Sequence, residues 1–298
     1  MANSPLEHDL GAQPRDLGEG FMVRRAVPQA ACRSVGPFVF FDQFGPADFS
    51  AGRGLDVRPH PHIGLATVTY LFDGEIVHRD SLGCARVIRP GEINWMVAGR
   101  GIVHSERTAL STRTGPSSLA GIQSWIALPR SQEQCPASFS HHGESDLPLL
   151  QRRGCRIRLL AGSLFGERAA VPAFSPMGYA HVELESGAEL EFGDEFEQSA
   201  AYVVSGSLGV AQSVFGAGRL LLPRAHERVR VRAIKASRLM LMAGEPLDGP
   251  RFLWWNFVAS SRELIERARE DWKAGRLGTI PGDAGESIPL PDDQGSPL

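Results

Sequence analysis

The chain has 298 residues, of which 42% are hydrophobic and 22% are charged, so its composition predicts a packed core and excludes a wholly disordered chain. The formal net charge of −3 gives no electrostatic reason to expect binding to nucleic acid or to an anionic membrane. No apolar stretch reaches the roughly 20 residues that span a bilayer, and residues 1–16 lack a basic segment followed by an apolar run. We therefore expect a cytoplasmic protein.

Short hydrophobic runs separated by glycine and proline make up most of the chain. The sequence contains 33 glycines and 21 prolines, and the runs between them are rich in Val, Ile, Leu, Phe and Tyr. Examples are Ala66–Phe72, Glu92–Val97, Ile122–Leu128, Arg156–Ala161, Ala201–Val204, Arg219–Leu222 and Arg238–Met242. Many short strands with turn signals between them predict an all-β sandwich or barrel.

The two halves of the chain contain similar strand–turn–strand segments. Residues 69–76 read TYLFDGEI and residues 201–208 read AYVVSGSL, with Gly74 and Gly206 in equivalent places at an offset of 132 residues. This repeat favours two similar barrels, which we place at residues 1–140 and 141–250. The polar segment 139–153 between them is expected to be a linker.

Helical periodicity is convincing in one segment near the C-terminus. Residues 260–263, with the sequence SSRE, have the pattern of a capping box. An apolar stripe with helical spacing follows and consists of Leu264, Ile265, Ala268 and Trp272. The tail after Gly278 is rich in Pro, Gly, Asp and Ser, and is expected to be extended or disordered. We predict that residues 251–298 pack back on the N-terminal barrel.

Two pairs of residues that bind metals occur at spacing i, i+2. His60 and His62 lie in PHPHIG, and His104 and Glu106 lie in GIVHSE. Residues i and i+2 of a strand project from the same face, so three imidazoles and one carboxylate converge if both strands line one barrel. This set suits a first-row divalent metal with coordination positions left for water or substrate. A lone H-x-H is more often structural or solvated, but the two pairs together favour a metal site.

Other histidines and the cysteines carry weaker signals. His78 lies in VHRDS and is expected to be a surface histidine near a hairpin. At the 132-residue offset, His60 and His62 correspond to Phe192 and Asp194, so the second barrel is expected to lack metal ligands. The four cysteines are widely spaced without a C-x-x-C pair, which indicates neither a structural zinc site nor a redox dithiol.

Residues 59–106 resemble the signature of the pirin family, which belongs to the cupin superfamily. They read PHPHIGLATVTYLFDGEIVHRDSLGCARVIRPGEINWMVAGRGIVHSE. Residues 35–46, VGPFVFFDQFGP, and residues 244–247, GEPL, are also similar to pirin segments. Since pirins are bicupins, the resemblance implies an all-β fold of two cupin-type (jelly-roll) barrels with a short C-terminal helix.

The resemblance also implies one metal, usually iron, in the N-terminal barrel. Carried over residue by residue, its ligands would be His60, His62, His104 and Glu106. Imidazole-rich sites also accept nickel, copper, zinc and manganese, so the identity of the divalent metal stays open at this point.

Two functions are compatible with this resemblance. Some pirins resemble quercetin 2,3-dioxygenase, which opens the flavonol ring with O₂ and releases carbon monoxide. In such an enzyme Glu106 would be the candidate catalytic base, and Met96 and Phe44 would help to enclose a flavonol-like aromatic substrate. Other pirins look like non-catalytic, metal-dependent co-regulators that sense redox state and bind a transcription factor or a metabolic enzyme. We favour the enzyme, and the co-regulator with a protein partner is the alternative.

Overall fold

Strands make up most of the computed structural model, which describes residues 4–17, 21–283 and 285–291. The last part of the predicted tail, residues 292–298, lies outside these ranges. The strands up to residue 142 are β1 (Leu6–Gly11), β2 (Gln13–Asp16), β3 (Met22–Val27), β4 (Phe38–Phe49), β5 (Asp56–His62), β6 (Leu65–Asp73), β7 (Ile76–Asp80), β8 (Ala85–Ile88), β9 (Ile93–Val97), β10 (Ile102–Arg107), β11 (Ser117–Ala127) and β12 (Ser138–His142).

The remaining strands precede the α-helix of the described residues. They are β13 (Leu149–Arg152), β14 (Cys155–Leu164), β15 (Glu167–Arg168), β16 (Met177–Leu184), β17 (Glu189–Phe192), β18 (Gln198–Val210), β19 (Ser213–Gly216), β20 (Arg219–Pro223), β21 (Val229–Gly244), β22 (Phe252–Trp254) and β23 (Phe257–Ala259). The helix α1 spans Arg262–Lys273. The predicted all-β class with a short C-terminal helix is confirmed.

The chain divides into two compact units. One unit joins the residues up to Gln43 with Glu144–Pro246, and the other joins Phe44–Gly143 with the residues from Leu247 onward. The limits at 140 and 250 stay predictions, and this division differs from them in its treatment of the first 43 residues. Strand pairing accounts for β1, which joins the sheet of the second barrel through antiparallel pairing with β20, whereas β2 and β3 extend the sheet that contains β4.

The first barrel consists of two sheets. One has the order β5-β10-β7-β8, and the other contains β12-β9-β6-β11-β4. The sequence of β9, INWMV, is buried along its whole length, as expected for an apolar strand covered on both faces. The predicted linker over residues 139–153 is wrong at both ends. Its start is β12, which pairs with β9, and its end is β13, which pairs with β14.

The second barrel is built on the sheet β1-β20-β18-β21-β16-β14-β13. Its core is aliphatic and includes Leu159, Val203 and Leu239, all fully buried. The repeat seen in the sequence is structural only in part. Gly74 lies in the turn between β6 and β7, whereas the turn predicted at Gly206 is wrong, since Gly206 lies within the continuous strand β18. Both glycines have positive φ values, of 79° and 84°. A Cβ at either glycine would lie 2.3 Å from a backbone carbonyl oxygen, so both positions require glycine for the same reason.

The helix α1 begins one residue later than the capping-box pattern suggests. Ser261 is the N-cap, and its hydroxyl accepts a hydrogen bond from the backbone N–H of Leu264. Ser260 instead donates its backbone N–H and its hydroxyl to the buried carboxylate of Glu133. The helix packs its apolar face, with Ile265 buried, against β22 and β23. No helix of the described residues is long and apolar enough to cross a membrane.

The C-terminal segment packs against the strands that carry the predicted ligands. The Asp283 carboxylate accepts hydrogen bonds from the hydroxyl of Ser105 at 2.6 Å and from Nε of Arg107 at 2.8 Å. The backbone N–H of Ile288 donates to the carbonyl of Pro59 at 2.8 Å. These contacts cover the face of β5 and β10 opposite to the histidines, which explains how a strand as polar as β10 is buried from Ile102 to Glu106.

Candidate metal centre

Two adjacent antiparallel strands carry the predicted ligands. His60 and His62 are on β5, and His104 on β10 pairs directly with His60. Because alternate residues of a strand share a face, this register brings the three imidazoles to one side of the sheet. Pro61 pairs with Val103 and faces the other way.

The three histidines form a compact cluster. Their ligand nitrogens all lie within 4.8 Å of one another. The ring centroids are 4.3 Å apart for His60 and His104, and 5.0 Å apart for each of the other two pairs. All three side chains are buried. Three convergent imidazoles of this kind are a set of ligands for a divalent metal.

Glu106 lies on the same strand but is not part of this 4.8 Å group. The register of β10 with β5 shifts beside Glu106 through one extra residue on β5, so that Glu106 pairs with Val57. Its buried carboxylate accepts a hydrogen bond from the hydroxyl of Thr69 at 2.9 Å. The structure therefore brings the three predicted histidines together, while the role of Glu106 as the fourth ligand stays a prediction.

Burial controls the protonation of the cluster. It lowers the pKa of His60 to about 4 and holds the pKa of His62 and His104 well below the usual range. The rings are therefore neutral near pH 7, which is the form that binds metals. Burial also raises the pKa of the Glu106 carboxyl, because the charged form loses its hydration.

The hydrogen bond made by Nδ1 of each ring determines whether Nε2 can bind a metal. Nδ1 of His60 lies 2.9 Å from the Arg58 carbonyl, and Nδ1 of His62 lies 3.0 Å from the Asn256 carbonyl. A carbonyl only accepts, so both rings carry their proton on Nδ1 and keep a lone pair on Nε2. Nε2 of His104 is buried without a hydrogen-bond partner among the described residues. This orphaned nitrogen fits a metal ligand.

Two aromatic contacts of the cluster escaped the sequence analysis. The prediction of a surface position for His78 is wrong, since its side chain is only 3% exposed, stacks on Phe139 at 4.4 Å and lies beside His104. The available signal was the H-x-D spacing of His78 and Asp80, which puts both side chains on one face of β7. Trp125 on β11 packs edge-on against His62 at 5.1 Å. Its position in another sheet gave no local signal.

The corresponding positions of the second barrel hold other residue types. Phe192 is part of the apolar core, and Asp194 binds the guanidinium of Arg228 at 2.6 and 2.8 Å. Within residues 4–17, 21–283 and 285–291, the potential ligand side chains that converge are those of the first barrel.

Gly64 lies against the carbonyl of Val258, and its replacement by alanine is expected to be strongly destabilising. Gly64 has φ of 67°, and a Cβ there would lie 2.0 Å from the carbonyl oxygen of Val258. The left-handed conformation costs about 1–2 kcal/mol and overpacking about 1–3 kcal/mol, so Gly64→Ala should lower the free energy of unfolding by about 2–5 kcal/mol. Chemical denaturation measures this.

Gly52 provides the matched control for this change. It also has a positive φ, of 84°, but a Cβ at this position would have no other atom within 4 Å. Gly52→Ala should therefore cost only the conformational part, about 1–2 kcal/mol. An equal loss of unfolding free energy in the two variants would show that the close approach of the Val258 carbonyl to Gly64 does not contribute to the cost.

Comparison with known proteins agrees with this fold. Residues 20–126 match the Pirin family and residues 179–278 match the Pirin C-terminal cupin domain. A pirin-like protein of Caulobacter vibrioides is 46% identical, with 94% of this chain and 98% of the relative covered.

Solved structures extend the similarity to the whole fold. The crystal structure of a quercetin 2,3-dioxygenase from Acinetobacter baumannii superposes with a TM-score of 0.88 at 31% identity, with 97% of each chain covered. A bacterial pirin from Escherichia coli, solved in complex with nickel(II), shares the fold at a TM-score of 0.62 and 17% identity, over 79% of this chain and 96% of the other. Together with the His60, His62 and His104 cluster, these matches show that the chain belongs to the pirin family of bicupins.

Proposed function

We propose that this protein is a metal-dependent dioxygenase that opens quercetin-type flavonols with O₂. The observation that carries the proposal is the buried cluster of three neutral imidazoles, whose Nδ1 atoms are all hydrogen-bonded while Nε2 of His104 has no partner among the described residues. The similarity in fold and sequence to a quercetin 2,3-dioxygenase supports the choice of reaction. In this reaction both oxygen atoms enter the product and one ring carbon leaves as carbon monoxide.

The proposed centre holds one divalent metal per chain through His60, His62, His104 and Glu106. Iron(II) is our first choice because of the family, and the set of nitrogen and oxygen donors is also compatible with nickel, copper, zinc or manganese. When bound, the metal supplies Lewis acidity that makes a flavonol hydroxyl easier to deprotonate. Three neutral imidazoles and one carboxylate leave a formal charge of about +1 on such a site, which favours an anionic, oxygen-rich ligand.

Glu106 is the proposed acceptor of the proton from the flavonol 3-hydroxyl. In the metal-free protein, burial raises the pKa of its carboxyl, so the carboxylate released from the metal would be a stronger base than an exposed one. The hydroxyl of Thr69 donates to one carboxylate oxygen. The other oxygen is the one that would bind the metal, and it would receive the proton when the carboxylate is released from the metal. Glu106 lies opposite His78 in the regular register of β10 with β7, on the same face of β10 as His104.

Metal analysis followed by an oxygenase assay tests this function. The protein is purified without added metal and examined by elemental analysis, and O₂ uptake and carbon monoxide release are then measured with quercetin. We expect one metal per chain. The metal-loaded protein should consume O₂ and release carbon monoxide in equal amounts, and chelation of the metal should stop both.

The same experiment distinguishes the alternative function. A protein that binds one metal but consumes no O₂ with several flavonols would contradict the enzyme and favour the non-catalytic co-regulator. In that case a pull-down with the metal-loaded and metal-free protein would show whether a protein partner depends on the metal.

A further inference from the structure

A second buried pair of side chains lies next to the histidine cluster. His78 and Asp80 are both on β7, which pairs with β10 so that Asp80 is opposite His104 and His78 is opposite Glu106. Their side chains are 3% and 0% exposed. Nε2 of His78 lies 3.0 Å from Oδ2 of Asp80, and Nδ1 of His78 lies 3.4 Å from Nδ1 of His104.

The Asp80 carboxylate is fixed on its other side by the backbone. Oδ1 accepts the N–H of Leu82 at 2.9 Å and the N–H of Cys84 at 3.1 Å. Oδ2 is therefore the oxygen that faces His78, and a carboxylate accepts but does not donate. A neutral His78 ring therefore donates from Nε2 and keeps an unprotonated Nδ1.

The unprotonated Nδ1 of His78 determines the tautomer of His104. Two imidazole nitrogens in contact need one donor and one acceptor, and Asp80 has already made His78 Nδ1 the acceptor. His104 must then donate from Nδ1, which leaves its lone pair on Nε2, the buried nitrogen without a partner.

His60 and His62 have the same tautomer, with the proton on Nδ1, and need only a backbone carbonyl to fix it. Each is held at Nδ1 by a backbone carbonyl, from Arg58 and Asn256. A carbonyl cannot donate, so no further residue is needed to set the tautomer. The partner of His104 is the exception, because an imidazole can be either donor or acceptor.

We propose that Asp80 and His78 are positioning residues that hold His104 in the tautomer able to bind metal. This inference rests on the proposed metal function of the cluster and adds an ordered chain from the Asp80 carboxylate through two imidazoles to Nε2 of His104. Stacking on Phe139, with ring centroids 4.4 Å apart and planes at 14°, holds the His78 ring in this chain. Carboxylate–histidine partners of this kind orient metal ligands in many proteins.

Asp80→Asn reverses the direction of the chain without changing its shape. The amide oxygen of the new side chain must still accept from Leu82 and Cys84, so its NH₂ group faces Nε2 of His78. His78 then has to donate from Nδ1 toward His104, and His104 moves its proton to Nε2, where it blocks metal binding.

The experiment measures affinity for Zn(II) by calorimetry, and reads the tautomers by ¹H–¹⁵N correlation spectra of metal-free protein labelled at histidine. Asp80→Asn is expected to lower the affinity about 10–100-fold and to move the His104 proton from Nδ1 to Nε2. His78→Phe keeps a flat ring against Phe139 but removes the acceptor, so it should weaken binding similarly. His78→Gln, which donates to Asp80 and accepts from His104, should restore most of the affinity.

Asp73→Asn controls for the loss of one negative charge, since Asp73 is exposed and lies in the same barrel. It should bind Zn(II) like the wild type. If wild-type His104 carries its proton on Nε2, or if Asp80→Asn leaves both tautomer and affinity unchanged, the positioning role is overturned. If the wild type binds neither Zn(II) nor Fe(II), the proposed metal function fails, and the spectra of the metal-free protein still decide the tautomer.

Discussion

His104→Ala is expected to abolish metal binding at physiological concentrations. The change removes one of three imidazoles from the cluster, so the affinity should fall by more than the 10–100-fold caused by losing an outer partner. Metal content in the purified variant should drop to background by elemental analysis. All metal-dependent O₂ uptake should disappear with it.

Thermal unfolding gives an independent measure of the same loss. At a free metal concentration of 100 times Kd, binding stabilises the native protein by about 2.7 kcal/mol. For domains of about 150–250 residues this raises Tm by roughly 5–10 °C. His104→Ala should show no such rise on addition of metal, although it remains folded in chelator.

His226→Asn is the control, because His226 is exposed in the second barrel and its φ of 58° is one that asparagine tolerates. The His226→Asn variant should bind metal like the wild type and show the same rise in Tm when metal is added. Normal metal content in His104→Ala would refute the site as assigned.

Glu106→Gln is expected to reduce the rate of flavonol opening about 10²–10⁴-fold, the range attributed to a positioned general base. Glutamine keeps the size of the side chain and can still accept the hydroxyl of Thr69, but it cannot take up a proton near pH 7. The three imidazoles remain, so part of the metal affinity should persist. Turnover is therefore measured per bound metal, with O₂ consumption and carbon monoxide release as readouts.

Glu133→Gln is a closely matched control for this change. Glu133 is also a buried carboxylate of the first barrel, and it accepts hydrogen bonds from Ser260. Its replacement should lower stability without changing turnover per bound metal. A Glu106→Gln protein that retains full turnover per metal would rule out Glu106 as the base.

Local sequence patterns determined the fold class and most of the histidine cluster. Strands have a side-chain period of two, so the H-x-H of β5 already places His60 and His62 on one face. The same rule applies to His104 and Glu106, which keep a regular pairing with β7. The register shift beside them is an extra residue on β5, between His60 and Val57. The structure groups the three imidazoles within 4.8 Å of one another, and the fourth predicted ligand, Glu106, is not part of that group.

The partners of the cluster depended on long-range pairing. His62 is hydrogen-bonded to the carbonyl of Asn256, which is 194 residues away, and no periodicity connects the two. His78 has a polar sequence context typical of a surface hairpin, yet the pairing of β7 with β10 buries it beside His104.

The sequence by itself therefore determined which residues could bind a metal, because strand geometry is local. Only the tertiary structure decided which nitrogen of each imidazole is available. That choice depends on the acceptor opposite Nδ1, and the acceptors for His62 and His104 come from distant segments.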